Sequence, residues 1–371
     1  MKGQDLFGSN GEKKDEELLG EIPALLLSWY DAGARVLPWR ENPEPYWVWV
    51  SEIMLQQTRV EAVKPYYERF LNELPTVADL AAAPEEQILK LWEGLGYYNR
   101  VRNMQKAAQI VMERYSGAIP ASYEELRSLP GIGEYTAGAI ASIAFQIPAP
   151  AVDGNVLRVI SRLLCRRENI LDPKVKKRTE EEIRKIIPKR AGDFNQSLME
   201  LGAMVCLPNG APKCGECPLS SLCRAHTQGI EETLPVKAKK KPRKLEQRTV
   251  FLLTCGEKLA LRRRPEKGLL AGLWELPSVE GLLTEPEAAG LLEQWGVLLK
   301  AGLEPRQESK HVFTHVEWHM TAWAAEAARE AEGFAWVRAE ALNREYTLPS
   351  AFKAYFAEIG KTAEEPESKA R

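Results

Sequence analysis

From Pro23 to about Ile230 the apolar residues recur at helical spacing. In EIPALLLSWYDAGA and PYWVWVSEIMLQQTRVEAVKPYYERFL they return every third or fourth position, the period of one buried helix face. TVADLAAAPEEQILKLWEGLGYY predicts two short helices parted at Pro84, because a proline pushes the residue before it out of the helical region. SYEELRSL opens on Ser122 with Glu125 three residues on, the spacing of a capping box. Glycine and proline punctuate the joints. The pattern predicts an all-α domain of about ten helices.

Beyond residue 245 the period changes. RTVFLLTCGEKLALRRR predicts a strand pair turning at a Gly-Glu step, TEPEAAGLLEQWG a helix, and ESKHVFTHVEWHMTAWAAEA one or two strands. The fold expected is therefore multidomain, with an all-α domain followed by an α+β domain. The boundaries expected are a disordered N-terminal extension over 1–22, a helical domain over 23–230, a basic linker over 231–247, an α+β domain over 248–362 and a polar tail over 363–371.

Composition adds limits. The formal net charge of −2 does not mark a nucleic-acid binder. PVKAKKKPRKLEQR carries seven Lys/Arg against one Glu, which reads as a solvated linker or a DNA-backbone contact. The polar, acidic N-terminus lacks an apolar signal region, so no export is expected. No apolar run is long enough to span a bilayer.

Three features carry chemistry. Cys206, Cys214, Cys217 and Cys223 lie within eighteen residues, at gaps of seven, two and five. That clustering favours a metal centre over disulfides, with zinc and an iron–sulfur cluster both accepting four thiolates. In LPGIGEYTAGAI, Gly131 and Gly133 lie between two predicted helices. No Gly-Lys-Ser/Thr follows and no strand precedes, which argues against a nucleotide loop. A plain helix–helix turn and a clamp on a phosphate both remain open.

The third feature is a pair of carboxylates. On a helix Glu52 shares a face with Val48, Trp49 and Leu55, so partial burial should raise its pKa and suit a general acid. Asp153 opens an apolar-periodic helix, where an N-cap would be kept ionised by the helix N-terminus. A proton donor and an anion flanking a sugar C1′ are what glycoside cleavage needs.

These pieces together resemble the endonuclease III superfamily, the helix-hairpin-helix DNA glycosylases with an iron–sulfur cluster. Within it, LPWR, VSEIMLQQTRV, WEGLGYYNR and AVDGNVLRVISR resemble the MutY-type adenine DNA glycosylases. The resemblance spans about residues 23–362 and implies a [4Fe-4S] cluster on Cys206, Cys214, Cys217 and Cys223. It implies that Glu52 protonates the adenine and Asp153 stabilises the sugar cation, with Tyr135 and Asn155 bonding around them. Trp39, Arg40 and Gln196 would line the adenine pocket. Gly131 and Gly133 would clamp the DNA backbone, and Gln57, Thr58, Leu95 and Tyr97 would contact DNA at the gap left by the flipped base.

The superfamily's lyase branch carries lysine where this chain has Tyr135, and a phenol forms no imine, so no dedicated strand cleavage is expected. GLLAGLWELPS resembles the start of a Nudix-like domain that reads 8-oxoguanine, and TEPEAAGLLEQWG lacks the metal-binding Glu array of a pyrophosphatase. The family's Phe-Ser-His recognition loop corresponds to Phe313, Thr314 and His315. The first cysteine gap is one residue longer than the family's usual six. The partner implied is double-stranded DNA with adenine opposite 8-oxoguanine or guanine, bound by a cytoplasmic monomer, nucleoid-associated in a bacterium. The rival readings are a bifunctional pyrimidine glycosylase/lyase and a non-catalytic iron–sulfur DNA-binding protein.

Overall fold

The computed structural model describes residues 14–238 and 242–360. In chain order the helices are α1 (Asp15–Gly33), α2 (Pro38–Glu41), α3 (Pro45–Leu55), α4 (Val60–Glu73), α5 (Val77–Ala82), α6 (Glu85–Leu91), α7 (Asn99–Tyr115), α8 (Tyr123–Ser128), α9 (Glu134–Phe145), α10 (Gly154–Leu163), α11 (Pro173–Ile186), α12 (Ala191–Met204), α13 (Arg224–Thr227), α14 (Glu285–Gln294) and α15 (Ala339–Glu345). The strands are β1 (Lys244–Cys255), β2 (Lys258–Arg263), β3 (Trp274–Glu275), β4 (Ser278–Glu280), β5 (Glu304–Val312), β6 (Val316–Glu326) and β7 (Ala335–Arg338).

The chain divides into two compact units, residues 1–56 with 110–239 and residues 57–109 with 240–371. Residues 57–109, expected within the helical domain, group here with the C-terminal sheet. Side chains hold them there. Arg102 Nη1 donates to the Ala271 carbonyl at 2.8 Å, Glu93 Oε1 accepts from the Leu348 amide at 2.9 Å, and Lys90 Nζ donates to the Tyr346 carbonyl at 3.1 Å.

In the first unit α1 starts at Asp15, eight residues before the expected domain start at Pro23. The expected 1–22 extension is thus too long; residues 1–13 lie outside the described residues. Leu18, Leu19 and Ile22 are buried in one core with Val156, Ile160, Phe194 and Leu198. Arg166 and Arg224 bind the Asp15 carboxylate at 2.9 and 2.6 Å. Tertiary burial of this apolar face overrides the proline inside the helix. α9 packs on α3 and α12, and α10 packs on α12.

The 231–247 linker is also shorter than expected. Leu234 accepts from Arg162 Nε at 2.9 Å and Val236 accepts from the Ile170 amide at 3.1 Å. At the other end β1 begins at Lys244, paired with Val316. Residues 239–241 and the expected tail over 363–371 lie outside the described residues.

In the second unit the sheet order is β3-β2-β1-β6-β5, with β4 on β1 and β7 on β2. β1 and β6 run parallel; β5 and β6 run antiparallel. Val250 and Leu252 enter one core with Trp318, Met320 and Phe352. Phe251 and Leu253 enter another with Ala288 and Leu292 of α14. Alternate residues of one strand thus feed two cores, which explains its unbroken apolar run.

Candidate active site

Glu52 sits on a helix that is apolar on every side. Tyr46, Val48, Trp49, Val50, Ile53 and Met54 are all buried with it, as expected of a core helix. Glu52 itself is 5 % exposed. Burial raises its carboxyl to about 7; a hydrogen bond from Tyr135 opposes the rise and the nearby Asp153 charge adds to it. Tyr135 stands in the first turn of α9 and donates to Glu52 Oε2 at 2.7 Å, with Met199 Sδ 3.1 Å from the same hydroxyl. Burial, then the two carboxylates, push the Tyr135 phenol well above its ordinary value.

Asp153 is the N-cap of α10. Its Oδ1 accepts from the amides of Asn155 and Val156, both at 2.8 Å, and its Oδ2 accepts from Asn155 Nδ2 at 2.7 Å. The N-cap that the sequence predicts at Asp153 therefore forms. Burial raises its carboxyl and outweighs the lowering by the cap bonds and Arg158. The helix N-terminus does favour the ionised form, as expected, and burial works against it.

Sequence reasoning missed the groups that hold these residues. Arg158, 4 % exposed, donates to Asn155 Oδ1 at 2.9 Å, the Gly202 carbonyl at 2.7 Å and the Cys206 carbonyl at 2.8 Å. Glu200 on α12 binds Arg35 and Arg40 at 2.6 and 2.9 Å. Arg40 also donates to Gln196 Oε1 at 3.1 Å. The available signal was Gln196 and Glu200, the two long polar side chains of α12, one turn apart. Trp39, expected in the same pocket, is buried beside Arg40 on α2.

The hairpin forms as expected. Ser122 caps α8 and Gly133 caps α9. Gly131 has φ 78°, a conformation costly for other residues. Gly133 is extended, and a Cβ built on it meets nothing within 4 Å. Its lack of a side chain therefore serves nothing inside this unit.

The four cysteines converge as well. Cys206, Cys214, Cys217 and Cys223 line one cavity with Arg162, Leu219, His226 and Glu231. Arg162, 3 % exposed, points Nη1 at Cys206 Sγ, 3.2 Å away. Among the described residues, the group of three ligand atoms within 4.8 Å of one another is Cys214, His226 and Glu231, and no three of the thiols are that close. Four thiols around one cavity are a donor set that fits a thiolate-bound metal centre.

The remaining candidates lie in the second unit. Gln57 and Tyr97 have φ of 60° and 48°, uncommon for residues with side chains, and both are exposed. Thr58 is half-buried, and Leu95 is buried, which argues against its serving as an exposed DNA contact. Tyr98 is core while its neighbour Tyr97 is not. Tyr97 Oη and Thr314 Oγ1 are 2.6 Å apart. Phe313 packs edge-on against His311 and Trp318, and Thr314 and His315 are exposed at the β5–β6 turn.

Residues 50–189 match the family described as HhH-GPD superfamily base excision DNA repair protein, and residues 249–358 match the NUDIX domain. The chain is 39 % identical to the rat adenine DNA glycosylase over 350 residues, covering 79 % of this chain and 68 % of the rat protein. It is 33 % identical to the Schizosaccharomyces pombe adenine DNA glycosylase over 362 residues, 78 % of each. A solved thermostable thymine-DNA glycosylase is 29 % identical, with a TM-score of 0.52 over 57 % of this chain and 98 % of that one.

Proposed function

This chain belongs to the adenine DNA glycosylase family, and on that premise we propose that it hydrolyses the N-glycosidic bond of adenine flipped from a DNA duplex, opposite 8-oxoguanine or guanine. The observation that carries the reading is a buried Glu52, raised to about 7 and bonded by Tyr135. A carboxyl of that strength is half protonated near neutral pH and can deliver a proton to adenine N7, making the base a leaving group. Asp153 takes the opposite role. Three hydrogen bonds to its carboxylate favour its charged form, and that charge stabilises the oxocarbenium-like centre at C1′. Water then adds to the sugar, and the proton it sheds returns to the Glu52 carboxylate, which gave its own to the adenine. Tyr135 offers a phenol and no amine at the position where a lyase needs one, so the strand stays intact.

Cys206, Cys214, Cys217 and Cys223 would hold a [4Fe-4S] cluster, whose four thiolate bonds would cross-link the loop after α12. Arg158 bonds the Cys206 carbonyl on one side and Asn155 on the other, so order in that loop supports order at Asp153. The open space at Gly133 suits close approach of a DNA phosphate to the start of α9. In the second unit the exposed Tyr97–Thr314 pair supports reading of the base opposite the adenine. α14 lacks the Glu array of a pyrophosphatase, so that domain recognises without hydrolysing.

The test uses purified protein and duplexes holding adenine opposite 8-oxoguanine, adenine opposite guanine, or an oxidised pyrimidine. The expected result is free adenine from the first two, with strands intact until alkali is added. Scission at the oxidised pyrimidine without alkali overturns the reading. So does binding without product, with Glu52→Gln indistinguishable from wild type.

A further inference from the structure

Arg40 is the hub of a partly buried polar network, and its charge reaches Glu52 and lowers that carboxyl. The Glu200 carboxylate, 2 % exposed, accepts from Arg35 Nε at 2.6 Å, Arg35 Nη2 at 2.7 Å and Arg40 Nη2 at 2.9 Å. Burial alone would raise this carboxyl, but the two guanidiniums hold it down to about 2. Arg40 Nη1 donates to the Arg35 carbonyl at 3.1 Å, and the guanidinium lies over the Tyr30 ring, 5.4 Å from its centroid. Its remaining nitrogen, Nε, donates to Gln196 Oε1 at 3.1 Å. Each Arg40 nitrogen thus has a fixed partner.

The consequence falls on Gln196. A primary amide can turn either its oxygen or its NH2 toward a neighbour, and the hydrogen-bond network decides which. Arginine has donors only, so Gln196 must face Arg40 with its oxygen. Its NH2 is then turned away from Arg40. Without a fixed Arg40 the two flips would compete.

We infer that Glu200 is a positioning residue of the base pocket: through Arg40 it fixes the Gln196 amide so that its NH2 reads a ring-nitrogen acceptor of the flipped adenine. This rests on the adenine excision proposed above. N7 is taken by the proton from Glu52, which leaves N1 or N3 for Gln196. Glu200 touches no substrate in this scheme, and its whole effect passes through one amide.

Single-turnover excision of adenine opposite guanine tests the relay, with Glu200→Gln, Arg40→Lys, Gln196→Ala and the two double variants that combine Gln196→Ala with each of the others. Losing one oriented hydrogen bond in the transition state should slow Glu200→Gln and Gln196→Ala each about ten-fold. The dissociation constant for DNA should stay within about two-fold, because the bond acts on the base and not on the backbone. The distinguishing result is non-additivity: Glu200→Gln should add nothing in the Gln196→Ala background. Where Glu200→Gln fails to fold, Arg40→Lys carries the same test, since lysine can still pair with Glu200 but lacks Nε. Wild-type rates in Glu200→Gln, or additive losses in the double variants, overturn the relay. A wild type that releases no adenine strikes instead at the proposed function.

Discussion

Asn155 and Cys206 are held by one side chain: Arg158 donates to Asn155 Oδ1 at 2.9 Å and to the Cys206 carbonyl at 2.8 Å. Replacing Arg158 by methionine leaves these acceptors and the Gly202 carbonyl unpaired in the interior. The cost should be on the order of 3 kcal/mol. Thermal unfolding should detect it, together with slower adenine release and, with the proposed cluster bound, faster loss of iron to a chelator. A variant that melts with wild type and keeps its iron would show that the link carries no energy.

Glu52 makes the enzyme's pH response predictable. In its proposed role as the acid it acts only when protonated, so the excision rate should fall as pH rises through about 7. Stability follows the same group. Its folded pKa lies above the ordinary 4.5, so the folded state binds more protons than the unfolded one between about 4.5 and 7, and stability falls with pH across that window. Glu52→Gln removes the dependence. Its stability advantage over wild type should grow across the window to on the order of 3 kcal/mol, as denaturant melts at several pH values would report.

Tyr135 tunes Glu52 in a known direction. Its hydrogen bond lowers the proton affinity of the carboxyl. Tyr135→Phe should therefore move the alkaline limb of the rate profile to higher pH, by up to about one unit. A limb that moves to lower pH would mean that the hydroxyl acts on some other group.

Gly202 permits the approach of α12 to Asn155. A Cβ at that position would lie 2.5 Å from Asn155 Cβ and 3.2 Å from its Cα. Backbone on both sides leaves little room to give, so Gly202→Ala should cost about 1–3 kcal/mol. On the proposed role of Asp153 it should also slow excision, by displacing the Asn155 side chain that bonds that carboxylate. Unfolding melts and single-turnover rates on the same preparation check both effects.

What was legible in the sequence is what local chemistry decides. The Gly256 turn between β1 and β2, the break at Pro84, the Ser122 cap and the Asp153 cap each depend on neighbours a few residues away. Glu52 was legible as partly buried because its own helix carries the apolar wall. The start of α1 was hidden because Leu18 and Ile22 are buried against Phe194 and Leu198, far along the chain. The Arg35–Glu200 pair spans 165 residues, and no spacing rule reaches that far. The grouping of residues 57–109 with the C-terminal sheet rests on similarly distant bonds, such as Lys90 to Tyr346.

Thr314 supplies the last prediction. Its hydroxyl lies 2.6 Å from that of Tyr97, and both residues are exposed. Thr314→Val keeps the shape and the methyl but removes the hydroxyl. Fold stability should not move by more than about 0.5 kcal/mol, because the site is exposed. Binding should separate by lesion. In a Glu52→Gln background that leaves DNA uncut, affinity for adenine opposite 8-oxoguanine should fall about five- to ten-fold, the worth of one hydrogen bond. Affinity for adenine opposite guanine should hold. An equal loss on both duplexes would assign Thr314 to general DNA contact, and no loss on either would place the reading of the opposite base elsewhere in the second unit.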